Sequence, residues 1–357
     1  MWLTRLTCRR FRCLGDLAFQ PEPGLNIIHG DNAQGKTSLL EALLYTCTAR
    51  SHRTTNEAEL ARHGEDGFSV TAEARRSDRD VAIEAYYWQK AKRFKVNGVP
   101  QTRISDILGR IHTVFFSPED VELVKGGASA RRRFLDMELA QINPGYLAAL
   151  QQYRQALKQR NSLLKQFKPD PALIEVWDAQ LVPPGEVLMR ERERFVRELS
   201  SRAAEAYHRI AAREPLALSY APDLDGRESF ESILARTRDN DIRRKITTRG
   251  PHRDDVEIAV DGQPARVFGS QGQQKSAALA LKLAEIGLIR EQTGETPILL
   301  LDEVLAELDA HRAQRLFEAL GDTVQCLVTT TERELTEKIG GRPYRRYQMT
   351  RGQLEAQ

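Results

Sequence analysis

Cysteine is scarce and scattered in this chain of 357 residues. The four present, Cys8, Cys13, Cys47 and Cys326, form no C-x-x-C pair. That spacing excludes a zinc ribbon or a disulfide framework as the basis of the fold and fits reduced thiols in a cytoplasm. Long apolar runs are missing too. The stretch from Met1 to Arg10 has no continuous apolar region of the signal-peptide kind, and no later run reaches membrane-spanning length. A soluble, cytoplasmic protein with no membrane partner is expected. Nor is charge one-sided: 53 Lys and Arg against 50 Asp and Glu leave +3. Whole-chain charge therefore decides neither for nor against nucleic acid, and local patches must. No internal repeat or low-complexity tract is evident, and the length favours two domains over one.

What is present begins with Gly30-Asp31-Asn32-Ala33-Gln34-Gly35-Lys36-Thr37, followed by Ser38, a complete G-x-x-x-x-G-K-T loop. Leu25 to His29 reads as a short buried strand before it, and Ser38 to Leu44 as the start of a helix after it, the context the motif requires. The glycines let backbone N–H groups curl round phosphates, and the helix start adds a positive dipole end. Lys36 then reaches the outer phosphates and Thr37 offers its hydroxyl to Mg²⁺. ATP and Mg²⁺ are the expected cofactors. Far downstream, Pro297 to Leu301 is an apolar strand that ends in Asp302-Glu303. After a phosphate loop this reads as a Walker B pair, with Asp302 supporting the metal and Glu303 orienting the attacking water as catalytic base.

Between these two halves the texture changes. The first ninety residues alternate, as in Phe68/Val70/Ala72/Ala74 and Val81/Ile83/Ala85/Tyr87, with an Asn97-Gly98 turn, which predicts antiparallel hairpins. From about Arg131 long helical segments take over. Asn143-Pro144 predicts an N-cap and first helical residue, opening a helix to about Lys168 whose apolar spacing is broken only at Arg160. A second helical segment runs from about Glu186 to Ala212, the pair suggesting an antiparallel hairpin with Pro183-Pro184 kinking or interrupting the return path. Val256/Ile258/Val260, Asp261-Gly262 and Ala265/Val267 read as a further hairpin. The expected division is residues 1–125 and 250–357 as the two halves of one head, with 126–249 as an inserted helical arm.

Ser270-Gln271-Gly272-Gln273 resembles the ABC signature motif, and Glu307-Leu308-Asp309 the D-loop that follows Walker B. With the two halves of the site separated by a helical insertion, the chain resembles the SMC-type ABC ATPases: an α/β, mixed-sheet head with an inserted arm. More narrowly it resembles the RecF family of recombination mediators. The resemblance is carried by Phe11-Arg12, Glu41-Ala42, Ser51-His52-Arg53, Phe116 to Asp120, Arg131 to Asp136 and Gly250 to Asp255, besides the loop and the signature. It implies an ATP-dependent homodimer on duplex DNA and gapped or single-strand junctions, with RecR and RecO as partners in loading RecA, and a signature that faces the nucleotide of the other copy. Two departures, Thr329-Thr330-Thr331 where ABC ATPases have a histidine and no glutamine near Phe116-Ser117, point to slow, switch-like hydrolysis. A transporter's nucleotide-binding subunit is the alternative in another class.

Several residues keep two readings. Arg131 to Arg133 either touch DNA phosphates or a second nucleotide, or form a solvated helix start. Arg53 either reaches nucleotide or makes a surface salt bridge. His252 to Asp255 lacks metal-ligand spacing, and a backbone-fixing or interface role is preferred. Finally, at about 100° per residue, Arg154, Lys158, Lys165 and Lys168 fall within an arc of about 80°. This stripe is either a solvated face or a track for DNA phosphates.

Overall fold

A computed structural model describes residues 1–211, 214–321, 323–332 and 338–357. The chain divides into two compact units: Met1–Asp120 with Glu205–Arg213 and Ala278–Gln357, and Val121–Ala204 with Glu214–Ala277.

The first unit contains two six-stranded sheets. One is mixed. In it Leu25–His29 pairs in parallel with Cys326–Thr330 and Tyr344–Thr350, Ile298–Asp302 with Cys326–Thr330 and Thr113–Phe116, and only the edge strand Gln353–Ala356 runs antiparallel. Four of its strands, Leu25–His29, Thr113–Phe116, Ile298–Asp302 and Cys326–Thr330, are buried at every residue. Burial on both faces is why they read as largely apolar runs rather than alternation. The other sheet is antiparallel and alternates as its sequence predicts: Phe68 lies opposite Tyr87 and Val70 opposite Ala85, all four buried. At its far hairpin Asn97 and Gly98 both take positive φ, 50° and 78°, the geometry a two-residue turn demands. The helix Lys36–Thr48 touches strands of both sheets. Every residue from Ser38 to Thr48 is buried, so its apolar residues are spread round the helix instead of forming one stripe.

In the second unit, the helix Pro144–Leu164 starts as predicted, with Asn143 Oδ1 accepting from Tyr146 N at 3.0 Å and proline in the first turn. It ends at Leu164, four residues short of Lys168. Gln166 N bonds back to Leu163 O at 3.0 Å, tightening the last turn, and Pro169 disfavours helix at the residue before it. The next helix, Pro171–Ala211, begins fifteen residues before the expected Glu186 and contains Pro183 and Pro184 without interruption. The carbonyls that lose their donor four residues earlier belong to Ala179 and Gln180, both exposed residues, which leaves water free to satisfy them. Ala212, the expected end, lies outside the described residues. The two helices are antiparallel, since Asn143 meets Glu191, Tyr146 meets Arg192 and Arg160 meets Asp178. Arg160, the break in the apolar pattern, is fully buried.

One further expectation is corrected. Gln263–Pro264 continues the hairpin from Asp255–Val260, but Ala265–Phe268 is a short helix, not a strand. Residues 250–277 belong to the second unit, because Asp255–Val260 pairs antiparallel with Leu216–Ala221.

Candidate nucleotide site

The strand Leu25–His29 delivers the phosphate loop, and the two glycines of the motif are there for different reasons. At Gly30 a Cβ would lie 2.4 Å from the carbonyl oxygen of Met349. At Gly35 the backbone has φ 111°, left-handed territory, at the N-cap of Lys36–Thr48. That helix start carries no side-chain cap, so its first N–H groups and positive dipole end are directed at whatever sits over the loop. Gln34 is braced from the last hairpin: Arg351 N donates to its Oε1 at 2.6 Å and Gly352 N to its O at 2.9 Å.

Lys36 is buried, and its Nζ donates to Gly30 O at 2.7 Å and Asp31 O at 3.0 Å while pairing with Glu303 Oε1 at 2.9 Å. Thr37 Oγ1 donates to Asp302 Oδ1 at 3.0 Å. The same Oδ1 accepts from Thr329 Oγ1 at 2.6 Å. Burial pushes the Asp302 carboxyl above its ordinary value; the two hydroxyl donors oppose this, and the nearby carboxylates of Glu303 and Glu119 add to it. Glu303 follows at φ 56°, with its N–H donating to Thr329 O at 3.2 Å. The left-handed turn aims the second carboxylate at Lys36 instead of continuing the strand. A hydroxyl beside a carboxylate suits Mg²⁺, which takes few protein ligands and completes its shell with phosphate and water. No cluster of three or more His, Cys, Asp or Glu gathers as a metal site among the described residues.

Thr329 is the residue that sequence reasoning undervalued. Read only as the absence of a histidine, it holds Asp302 by its side chain and Glu303 by its backbone. The available signal was a threonine run closing an apolar strand. Near Phe116, Ser117 N donates to Asp120 Oδ2 at 2.8 Å, closing the turn after the strand.

Around the loop helix, Glu41 is fully buried and grips Arg12 with both oxygens, at 2.8 and 3.0 Å, and accepts from Ser51 Oγ at 2.5 Å. Burial pushes its carboxyl up, yet these donors outweigh it and hold Glu41 below the ordinary range. Arg53, half exposed, stands 3.6 Å from the same carboxylate, which is the salt-bridge reading. Asp309 caps the helix Ala310–Leu320, its Oδ1 accepting from Arg312 N at 2.9 Å.

The signature residues belong to the second unit. Ser270 Oγ accepts from Gln273 N at 3.2 Å while Gln273 Oε1 accepts from Ser270 N at 2.7 Å, a reciprocal capping box that opens Gln271–Thr293. Gln273 Nε2 also donates to Glu214. Just before the box, Val267 and Phe268 are about two-thirds exposed. Arg131 matches neither of its readings: it is buried, bidentate to Asp255 at 2.6 and 2.9 Å, and bonded to the Leu123 and Gly126 carbonyls. Arg132 Nη1 donates to Asp254 O, while Arg133 is exposed. His252 shares a 2.7 Å hydrogen bond with the Tyr153 hydroxyl and contacts Thr247 O at 3.0 Å, a backbone-fixing arrangement. Of the basic stripe, Arg154 pairs with Asp136 at 2.7 Å, Lys158 is exposed, Lys165 caps the helix and Lys168 lies in the turn beyond it. The helical projection therefore does not apply to Lys168.

An uncapped helix start over a glycine loop, with a lysine at its rim and a threonine–aspartate pair beside a second carboxylate, on strands of one mixed sheet, defines an ATPase head of the ABC type. Residues 2–354 match the family model for the RecF/RecN/SMC N terminal domain. The chain is 43% identical over 347 residues to the DNA replication and repair protein RecF of Symbiobacterium thermophilum, covering 94% of this chain and 92% of that one. The solved structure of the recombination mediator protein RecF with ATPrS, of the RecFOR pathway, superposes with a TM-score of 0.91 at 32% identity, covering 99% and 98%. An Smc head domain from Pyrococcus furiosus, at 18% identity and a TM-score of 0.59 over 100% and 96%, shares the fold alone. The chain belongs to the RecF family of SMC-type ABC ATPases, and with that family comes a RecF-like role in DNA replication and repair.

Proposed function

We propose that the chain is an ATP-gated DNA-binding switch: ATP joins two copies, the pair holds DNA, and slow hydrolysis releases it. The observation that carries this reading is the convergence of Lys36, Thr37, Asp302 and Glu303, two pairs of residues far apart in sequence, within hydrogen-bond reach of one another. Gly30 to Ser38 would wrap the phosphates. Thr37 and Asp302 would hold Mg²⁺, which when bound supplies charge neutralisation at the phosphate oxygens. Glu303 would orient the attacking water, worth about 10² to 10⁴ in rate for a positioned base.

Ser270, Gln271, Gly272 and Gln273 of one copy would close over the ATP of the other, with Asp309 lining the seam. The exposed Val267 and Phe268 before the capping box suit burial in such a pairing. Thr329, whose hydroxyl is committed to Asp302, stands where a faster ATPase of this class has a histidine, which supports slow turnover. Arg154, Lys158 and Lys165 would track duplex phosphates, with Lys168 contributing from the turn rather than the helix.

RecF relatives solved with ATP and ATPrS and named with the RecFOR pathway support ATP as nucleotide and RecO and RecR as partners. Loading of RecA, in the cytoplasm, belongs to the same proposal. The transporter alternative is not favoured: the relatives are DNA replication and repair proteins. The test is ATP hydrolysis by the whole chain with blunt duplex, gapped duplex, single strands or lipid vesicles. Stimulation by DNA, at a slow turnover, is the expected result. Turnover indifferent to every DNA, or raised by vesicles, would remove the switch reading.

A further inference from the structure

The loop that closes the antiparallel helices of the second unit, Lys165-Gln166-Phe167-Lys168, leaves Phe167 95% exposed. A phenylalanine presented this way forgoes burial that aromatic rings ordinarily dominate. The ring is not isolated. Directly beneath it in sequence, Leu163 and Leu164 form a small core with Ile174, against which Trp177 and Ile242 pack. Ile242 lies in the last turn of the helix Phe230–Arg244, and Thr247 N donates to Asn161 Oδ1 at 2.7 Å just past it. These two anchors bring Arg243, Arg244 and Lys245 to the same end of the unit as Lys165 and Lys168. All five cations are exposed, and none forms an ion pair among the described residues. Of the acids at this end, Glu175 is bound by Arg238 at 2.8 Å, while Asp170, whose Oδ1 accepts from Ala172 N, and Asp239 are exposed and form no ion pair with the five cations among the described residues.

An aromatic face set among cations is the pairing that recognises unpaired nucleotides: bases stack on the ring and the cations follow the backbone, without regard to sequence. A closed duplex keeps its base faces covered and offers only phosphates. We infer that this tip binds unpaired strand, with Phe167 stacking on a base and Lys165, Lys168 and Arg243 to Lys245 holding the flanking phosphates. The inference deepens the DNA-binding reading above and rests on it: the helix face offers cations to a duplex, and the tip reads where the duplex ends.

The test uses the full chain with ATP and Mg²⁺ against an oligo-dT, a blunt duplex and a gapped duplex. Phe167→Ala is expected to weaken oligo-dT and gapped DNA by roughly five- to a hundredfold, the span of one lost base stack, and to leave blunt duplex unchanged. Because the ring is exposed, thermal midpoint and ATP affinity should match the parent. Phe167→Trp adds a direct readout: its emission is quenched by oligo-dT and unmoved by blunt duplex or heparin. Arg243→Ala/Arg244→Ala/Lys245→Ala should weaken oligo-dT and flatten its dependence on salt. If the parent binds all three DNAs and Phe167→Ala binds them equally well, the tip inference is overturned while the DNA reading stands, and the patch belongs to an acidic protein surface. A parent that binds no DNA in any nucleotide state removes both.

Discussion

Lys36 in the first unit and Arg160 in the second are both buried cations held by carboxylates and oxygen acceptors, yet they are held in opposite ways. Lys36 is a compact ammonium on a flexible stem, gripped by two loop carbonyls and by Glu303, which is 27% exposed. Arg160 is fully buried, and its fork meets Asp178 at 2.6 Å, Asp241 at 2.8 Å and Thr247 at 2.9 Å, acceptors that are themselves buried. Arg192 repeats the second pattern with Asp136, Asp254 and Tyr146. An ammonium whose counter-ion faces solvent can exchange it for a phosphate, whereas a planar fork whose acceptors are buried has nowhere to go. The accessibility of the partner, more than burial of the cation, separates a ligand site from a strut.

The comparison breaks first at Lys36. Lys36→Ala should lower ATP affinity by on the order of a hundredfold or more, since charge-assisted bonds to phosphate are lost, while leaving the folded state nearly as stable. Isothermal titration with ATP and Mg²⁺, beside a urea melt, checks both halves. Arg160→Met should do the reverse: it leaves Asp178 with only Arg238, at 3.4 Å, and Asp241 with only the Thr248 donors, and costs about 3–5 kcal/mol, with ATP affinity unchanged in the folded fraction. Adding Asp178→Asn and Asp241→Asn should recover part of that loss. No recovery would mean that Arg160 acts through packing instead of charge.

A subtler prediction concerns Thr329. Thr329→Val removes a donor from Asp302, whose carboxyl burial already raises above its ordinary value. The carboxyl should rise further, because the hydroxyl had favoured the ionised form. If Asp302 holds Mg²⁺ as proposed, metal-dependent ATP binding needs it ionised, so binding should fail at a higher pH than in the parent as the solution is acidified. Titrating ATP affinity downward from pH 8 with and without Mg²⁺ exposes the difference, and curves that superimpose would deny Thr329 this role. The smallest effect is expected at Arg53: Arg53→Ala should change ATP affinity less than about threefold, as a half-exposed salt bridge of its kind is worth about 0–1 kcal/mol. A larger loss would move Arg53 from the surface to the nucleotide.

Much of the site was legible because its demands are local. The phosphate loop and the Asp302-Glu303 pair sit where a buried strand stops, and short, largely apolar runs mark such strands. The hairpin alternation at Phe68 to Tyr87 and the Asn143-Pro144 cap are likewise written within a few residues of where they act. What stayed hidden depends on partners distant in sequence. Nothing near Arg131 or Arg160 announces Asp255 or Asp241, so a basic run and a break in the apolar spacing stood where the structure has buried pairs. The two prolines misled for a related reason. Their cost depends on whether the freed carbonyls reach water, and these belong to the exposed Ala179 and Gln180. The second unit's claim on residues 250–277 required the pairing of Asp255–Val260 with Leu216–Ala221, a long-range contact that texture does not encode.

The most direct test of the switch is the mass of Glu303→Gln in solution. The substitution removes the carboxylate that pairs with Lys36 and, on the proposed reading, the group that would orient the attacking water. Light scattering at saturating ATP and Mg²⁺ should therefore give twice the 40.5 kDa of the chain, falling back to one chain when ATP is withdrawn or when Ser270→Arg is added. A Glu303→Gln protein that binds ATP and stays at the mass of a single chain would contradict a site shared between two copies.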